Sequence, residues 1–81
     1  MTMIPDKPVA IVRHVKDDFE ALQMAQAFID LDGGVISVVH YPNGTLTPWY
    51  VFGWLPNIEK ADDLDKRFSQ LMYEAQPSSD G

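Results

Sequence analysis

Eighty-one residues make one small domain with no length for a second, and twelve acidic against six basic residues give a net charge of −6, which disfavours direct phosphate binding. With no cysteine, disulfides and thiolate metal sites are excluded, and an apolar fraction of 46% is too high for a disordered chain. The longest uninterrupted apolar run falls far short of the ~20 residues that a membrane span requires.

Residues 1–8 form a polar lead-in with Pro5 and Pro8, and together with residues 76–81 they are expected to be flexible. Met1 to Lys7 lack the basic start and apolar run of a signal peptide. A soluble, cytoplasmic protein is the expectation. Val9 to Val15 then read as a strand, because β-branched residues dominate. Val9, Ile11, Arg13 and Val15 lie on one face, and Ala10, Val12 and His14 on the other.

Asp17 is a predicted helix N-cap, and Glu20 three residues later completes a capping box. The helix is expected over residues 18–31. Leu22, Ala25, Phe28 and Ile29 recur at helical spacing as its buried stripe, with Phe19 near its start. Gly33 and Gly34 should stop it, since glycine takes the left-handed C-cap conformation cheaply.

A β-hairpin follows over Val35 to Leu55, closed by Pro42-Asn43-Gly44, and it holds five of the nine aromatic residues. Pro42 and Asn43 suit a type I turn with Gly44 in the left-handed position after it. On that register Ile36, Val38 and His40 share a face with Leu46, Tyr50, Phe52 and Trp54. Val35, Ser37, Val39, Tyr41, Trp49, Val51 and Gly53 then take the other face. A two-residue Asn43-Gly44 turn is the competing register and regroups these residues. With Tyr50, Phe52 and Trp54 in the core, Tyr41, Val39, Trp49 and Val51 are expected to be uncovered. Pro48 is difficult in a central strand, because it donates no ladder hydrogen bond; it fits at a bulge or beyond the end of the first strand.

Asn57 is the predicted N-cap of a second helix. Ile58, Ala61, Leu64, Phe68, Leu71, Met72 and Ala75 give the strongest helical periodicity in the chain. Glu59, Asp62, Asp63 and Asp65 form its acidic outer side, mostly near the N-terminus, where the helix dipole favours negative charge. The element order β-α-β-β-α predicts an α+β fold with a three-stranded antiparallel sheet in the order 1-3-2 and both helices on one face. This arrangement resembles a ferredoxin-like fold lacking its last strand.

Nothing in the sequence stands out as catalytic. Ser37 and Ser69 have no neighbouring base signature, and Gly33-Gly34 follows a helix instead of opening one as a phosphate loop does. His14 and His40 could meet across the sheet, but two histidines do not complete a zinc site. The acidic group of the second helix lacks the loop and glycine of a calcium site. Neither a metal nor a cofactor is expected. Aromatics on an open sheet suggest RNA stacking, but the basic segment of such domains is missing. The expected partner is therefore a protein, with no direct nucleic-acid or membrane binding. An acidic surface steers toward basic proteins, and exposed Trp and Tyr anchor contacts. Tyr41 and Trp49 are the candidate apolar anchors, and Glu59, Asp62, Asp63 and Asp65 the candidate charged contacts.

In length, acidity and lack of a catalytic motif, the whole chain resembles the small inhibitors encoded by phages and mobile elements, anti-CRISPR proteins among them. That resemblance implies blockade of a basic, nucleic-acid-handling partner. The alternative is a homodimeric ferredoxin-like scaffold or small-molecule-binding protein or enzyme.

Overall fold

The computed structural model describes residues 7–42 and 44–75. The two terminal segments expected to be flexible lie outside the described residues, apart from Lys7 and Pro8, which lead into the first strand. The elements are β1 (Val9–Val15), α1 (Asp18–Asp30), β2 (Gly34–His40), β3 (Trp49–Leu55) and α2 (Lys60–Ala75). The three strands form one antiparallel sheet in the order β1-β3-β2. Both helices lie on one of its faces, which is the predicted ferredoxin-like arrangement without its last strand.

Each helix begins on a side chain that satisfies an orphan backbone N–H. Asp17 Oδ1 accepts from the Glu20 amide at 2.8 Å, and Glu20 Oε1 reaches back to the Lys16 amide at 3.0 Å. Asn57 Oδ1 accepts from the Lys60 amide at 3.2 Å. The end of α1 departs from the expected glycine cap. Asp32, not a glycine, takes the left-handed conformation, at φ 68°. The Gly33 amide donates to the Phe28 carbonyl at 2.9 Å and the Asp32 amide to the Ile29 carbonyl at 3.1 Å, which is a Schellman ending. Gly33 serves a different need: a Cβ there would collide with the Trp54 carbonyl oxygen.

The core joins Val15, Ala21, Met24, Ala27, Phe28, Val51, Leu55 and Leu64. The buried stripe of α1 is therefore Ala21, Met24, Ala27 and Phe28, and not the expected set. Only Phe28 is common to both, and Phe19, Leu22 and Ile29 are exposed. The stripe is rotated because alanines at 21 and 27 let the helix approach the sheet closely enough for Phe28 to reach it. Helix α2 makes its main contact with α1. It buries Leu64 fully and packs Phe68 and Leu71 at the core's edge, while Ile58 is exposed.

The hairpin register also differs from expectation. Gly44 does take a positive φ of 89°, and Asn43 lies outside the described residues. The strands, however, stop at His40 and Trp49, and the last rung is the Tyr41 amide donating to the Pro48 carbonyl at 2.8 Å. Neither Pro42 nor Pro48 has an N–H to give, so the ladder ends at them and a wide loop closes the hairpin. Pro48 sits just before β3, beyond the last β1–β3 pair, Val15 and Trp49. That is one of the two places where the sequence tolerates it.

In this register Val38 pairs with Val51 and His40 with Trp49. Trp49, Val51, Gly53 and Leu55 thus face the helices, whereas Tyr50, Phe52 and Trp54 face away. The expected assignment of β3 is inverted, and the register, with His40 opposite Trp49, is that of neither turn. Gly53 supplies the reason. A Cβ there would lie 2.6 Å from Cδ1 of Phe28, so the ring occupies the space over the glycine. Only the face with a missing side chain can receive Phe28, and alternation then sends Tyr50, Phe52 and Trp54 outward.

Candidate functional site

The face of the sheet opposite the helices is built from alternate residues of three strands. Strand β1 contributes Ala10, Val12 and His14; β3 contributes Tyr50, Phe52 and Trp54; β2 contributes Gly34, Ser37 and Val39. A bulge between Val35 and Ser37 adds Ile36, which is 63% exposed. Val12, Val39, Phe52 and Trp54 are also exposed. Ala10, Ile11, Val12, Ile36, Phe52 and Gly53 line an apolar hollow of about 180 Å³.

The aromatic groups are ordered along this face. The His14 and Tyr50 rings, on directly paired residues, lie 4.3 Å apart between centroids, and Tyr50 and Phe52 stack at 6.4 Å. The Trp54 indole lies across Gly34, where a Cβ would come within 2.6 Å of Nε1. Glycine at 34 is thus the floor on which that ring rests.

The candidate contact residues fall in three places. Tyr41 is 59% exposed just past β2 and continues the alternation of Ser37 and Val39 toward the open face. Trp49 is on the opposite face, half-buried against the core, with its ring stacked on His40 at 4.3 Å and 16°. Glu59, Asp62, Asp63 and Asp65 are all exposed around the start of α2, on the helix side of the molecule. Asp65 is already engaged: Arg13 Nε and Nη2 reach its two carboxylate oxygens at 2.9 and 3.2 Å, tying β1 to α2. The structure therefore joins Tyr41 to the open face and separates it from Trp49 and the acidic group. Phe52, Trp54 and Ile36 are the exposed apolar residues that sequence reasoning placed wrongly or passed over. Gly53 was the available signal, since a glycine inside a strand marks a close approach.

Among the described residues the ion pairs lie on the helices, their connections and the helix-facing side of β1. Arg67 Nε donates to Asp30 Oδ2 at 2.8 Å, and Gln26 Nε2 donates to Asp30 Oδ1 at 2.7 Å. The Gln26 hydrogen bond first, and the Arg67 contact with it, hold the Asp30 carboxyl below its ordinary value of 3.8. Lys16 pairs with Glu20 and Lys60 with Asp32. The two histidines do not meet. His14 pairs with Tyr50 and His40 with Trp49, adjacent residues of β3, so they occupy opposite faces. Among the described residues no three His, Cys, Asp or Glu side chains gather as metal ligands, and no buried residue is polar or charged. No helix among them is long and apolar enough to cross a membrane. No protein-family model, no curated protein and no solved structure matches this chain.

Proposed function

We propose that this chain is a small, acidic, non-catalytic binding protein that works by contact. One observation carries the reading: Phe52 and Trp54, with Val12, Ile36 and Val39 beside them and half-buried Tyr50 in the same row, are left exposed by the described residues on the open sheet face. A contiguous exposed apolar patch costs solubility and is usually an interface. The net charge of −6, with Glu59, Asp62 and Asp63 exposed on the other side, suits a basic partner that handles nucleic acid. Inhibition of such a partner, in the manner of anti-CRISPR and other anti-defence proteins, is the activity this charge distribution fits. Strands β1, β2 and β3 place no Lys or Arg on the aromatic face, which argues against RNA stacking there.

Affinity capture from the native host with three baits tests the proposal: the natural chain, Phe52→Lys, and Asp62→Lys/Asp63→Lys. A basic protein should be retained by the first bait and reduced at least about tenfold by one of the variants. A captured protein held equally by all three baits, or no specific capture, would remove the reading.

A further inference from the structure

Among the described residues the open face is neutral, in a molecule of net charge −6. Of the residues in the three strands only Arg13 belongs to the Asp, Glu, Lys and Arg group, and it points to the helix side, where Asp65 holds it. The acidic residues named on the helices and their connections lie behind the sheet or at its ends. A charged partner would find no opposite charge among the strand residues of the open face. An uncharged apolar face matches another of its kind, and this chain carries one.

Resting on the reading of that face as a contact surface, we infer that its occupant is a second copy of this chain, packed sheet against sheet about a two-fold axis. In this arrangement the acidic helix layers lie on the two outer sides, as far apart as the fold allows, so the repulsion between two chains of charge −6 is smallest. By strand rise and spacing the face measures roughly 14 by 24 Å, and aligned sheets pack at about 10 Å. A two-fold contact places the same patch on both chains, so each neutral apolar face would meet its own copy. Within that face Val12, Ile36 and Phe52 line an apolar hollow, and the Tyr50 ring stacks on Phe52 beside it. Another exposed apolar group among the described residues, Phe19, Leu22 and Ile29 on α1, sits among polar and charged side chains: Gln26, Asp18 and Asp30 share that exposed side of the helix.

Light scattering of the full chain over about 1 to 100 µM reads the assembly directly. The expected mass is twice the 9.1 kDa of the chain, and Ile36→Lys or Phe52→Lys should raise the dissociation constant at least about tenfold. Leu22→Lys should leave the mass unchanged. In Trp49→Phe, Trp54 is the single tryptophan, and its emission should move to the blue and resist acrylamide as dimer forms. Circular dichroism checks that each variant folds. A natural chain that stays monomeric throughout would overturn the inference. So would a dimer dissociated by Leu22→Lys and not by either open-face variant. A monomer whose Trp54 becomes exposed only when residues 1–6 are removed would give the face to the chain's own beginning. A monomer that binds oligonucleotide through Phe52 would give it to nucleic acid. A monomer that captures a host protein through Phe52 sinks the dimer but keeps contact function. A dimer that captures no partner does the reverse.

Discussion

Phe28 and Gly53 occupy one space between them, and that exchange decides which side of β3 is inside. A methyl group on Gly53 would stand 2.6 to 2.7 Å from three atoms of the Phe28 ring. Gly53→Ala should therefore destabilise by about 1–3 kcal/mol, the usual cost of overpacking, seen as a lower urea midpoint. Phe28→Leu in the same chain should recover part of that loss, and strict additivity of the two changes would refute the shared-space account. Asp30 gives a prediction with a sign. Its folded carboxyl is held below 3.8, so the stability it adds is complete above the unfolded value and is lost as pH falls through the folded one. Asp30→Asn should cost stability at pH 7, and the gap to the natural chain should narrow in urea titrations below about pH 4. A gap that does not change with pH would remove the Gln26 and Arg67 contacts as its cause.

At the scale of elements, the caps were legible because they are local. Asp17 with Glu20, and Asn57 with Lys60, sit within one turn of each other in sequence, and their hydrogen bonds follow from residue type and spacing. Asp17→Ala should cost about 1 kcal/mol in thermal or urea unfolding. The acidic residues of α2 looked equivalent in sequence but are not. Asp65 ties α2 to β1 through Arg13, so Asp65→Asn should cost up to about 1 kcal/mol, while Asp62→Asn should change stability very little. Equal effects would place the Arg13 contact among surface pairs without energetic weight. Because α2 packs mainly on α1 and buries only Leu64 fully, its amides should exchange with solvent at lower free energy than those of β3.

For the whole molecule, salt separates the two kinds of contact. Sheet-to-sheet pairing joins neutral faces of chains that repel each other through a charge of −6, so added salt should strengthen it. Binding of a basic partner to the acidic side should weaken under the same change. Sedimentation of the chain alone and of its complex between about 50 and 500 mM salt reads both slopes. A dimer that salt weakens would contain ion pairs that the open face does not offer.

The element order, both helix starts and the trouble at Pro48 followed from short-range chemistry, namely propensity, capping and a missing N–H, and the sheet order from the right-handed crossover that the element order imposes. The faces did not. Helix α1 offered two overlapping apolar stripes, and β3 was apolar on both sides, so periodicity alone could not choose for either. The choice was made where they meet, by Phe28 lying over Gly53, across a separation in sequence that no local pattern spans. The sequence by itself determined that the chain forms this sheet with two helices and carries more aromatic surface than one face needs. Only the tertiary structure decided that the surplus on the open side is Tyr50, Phe52 and Trp54, because a ring from α1 claimed the single gap on the other.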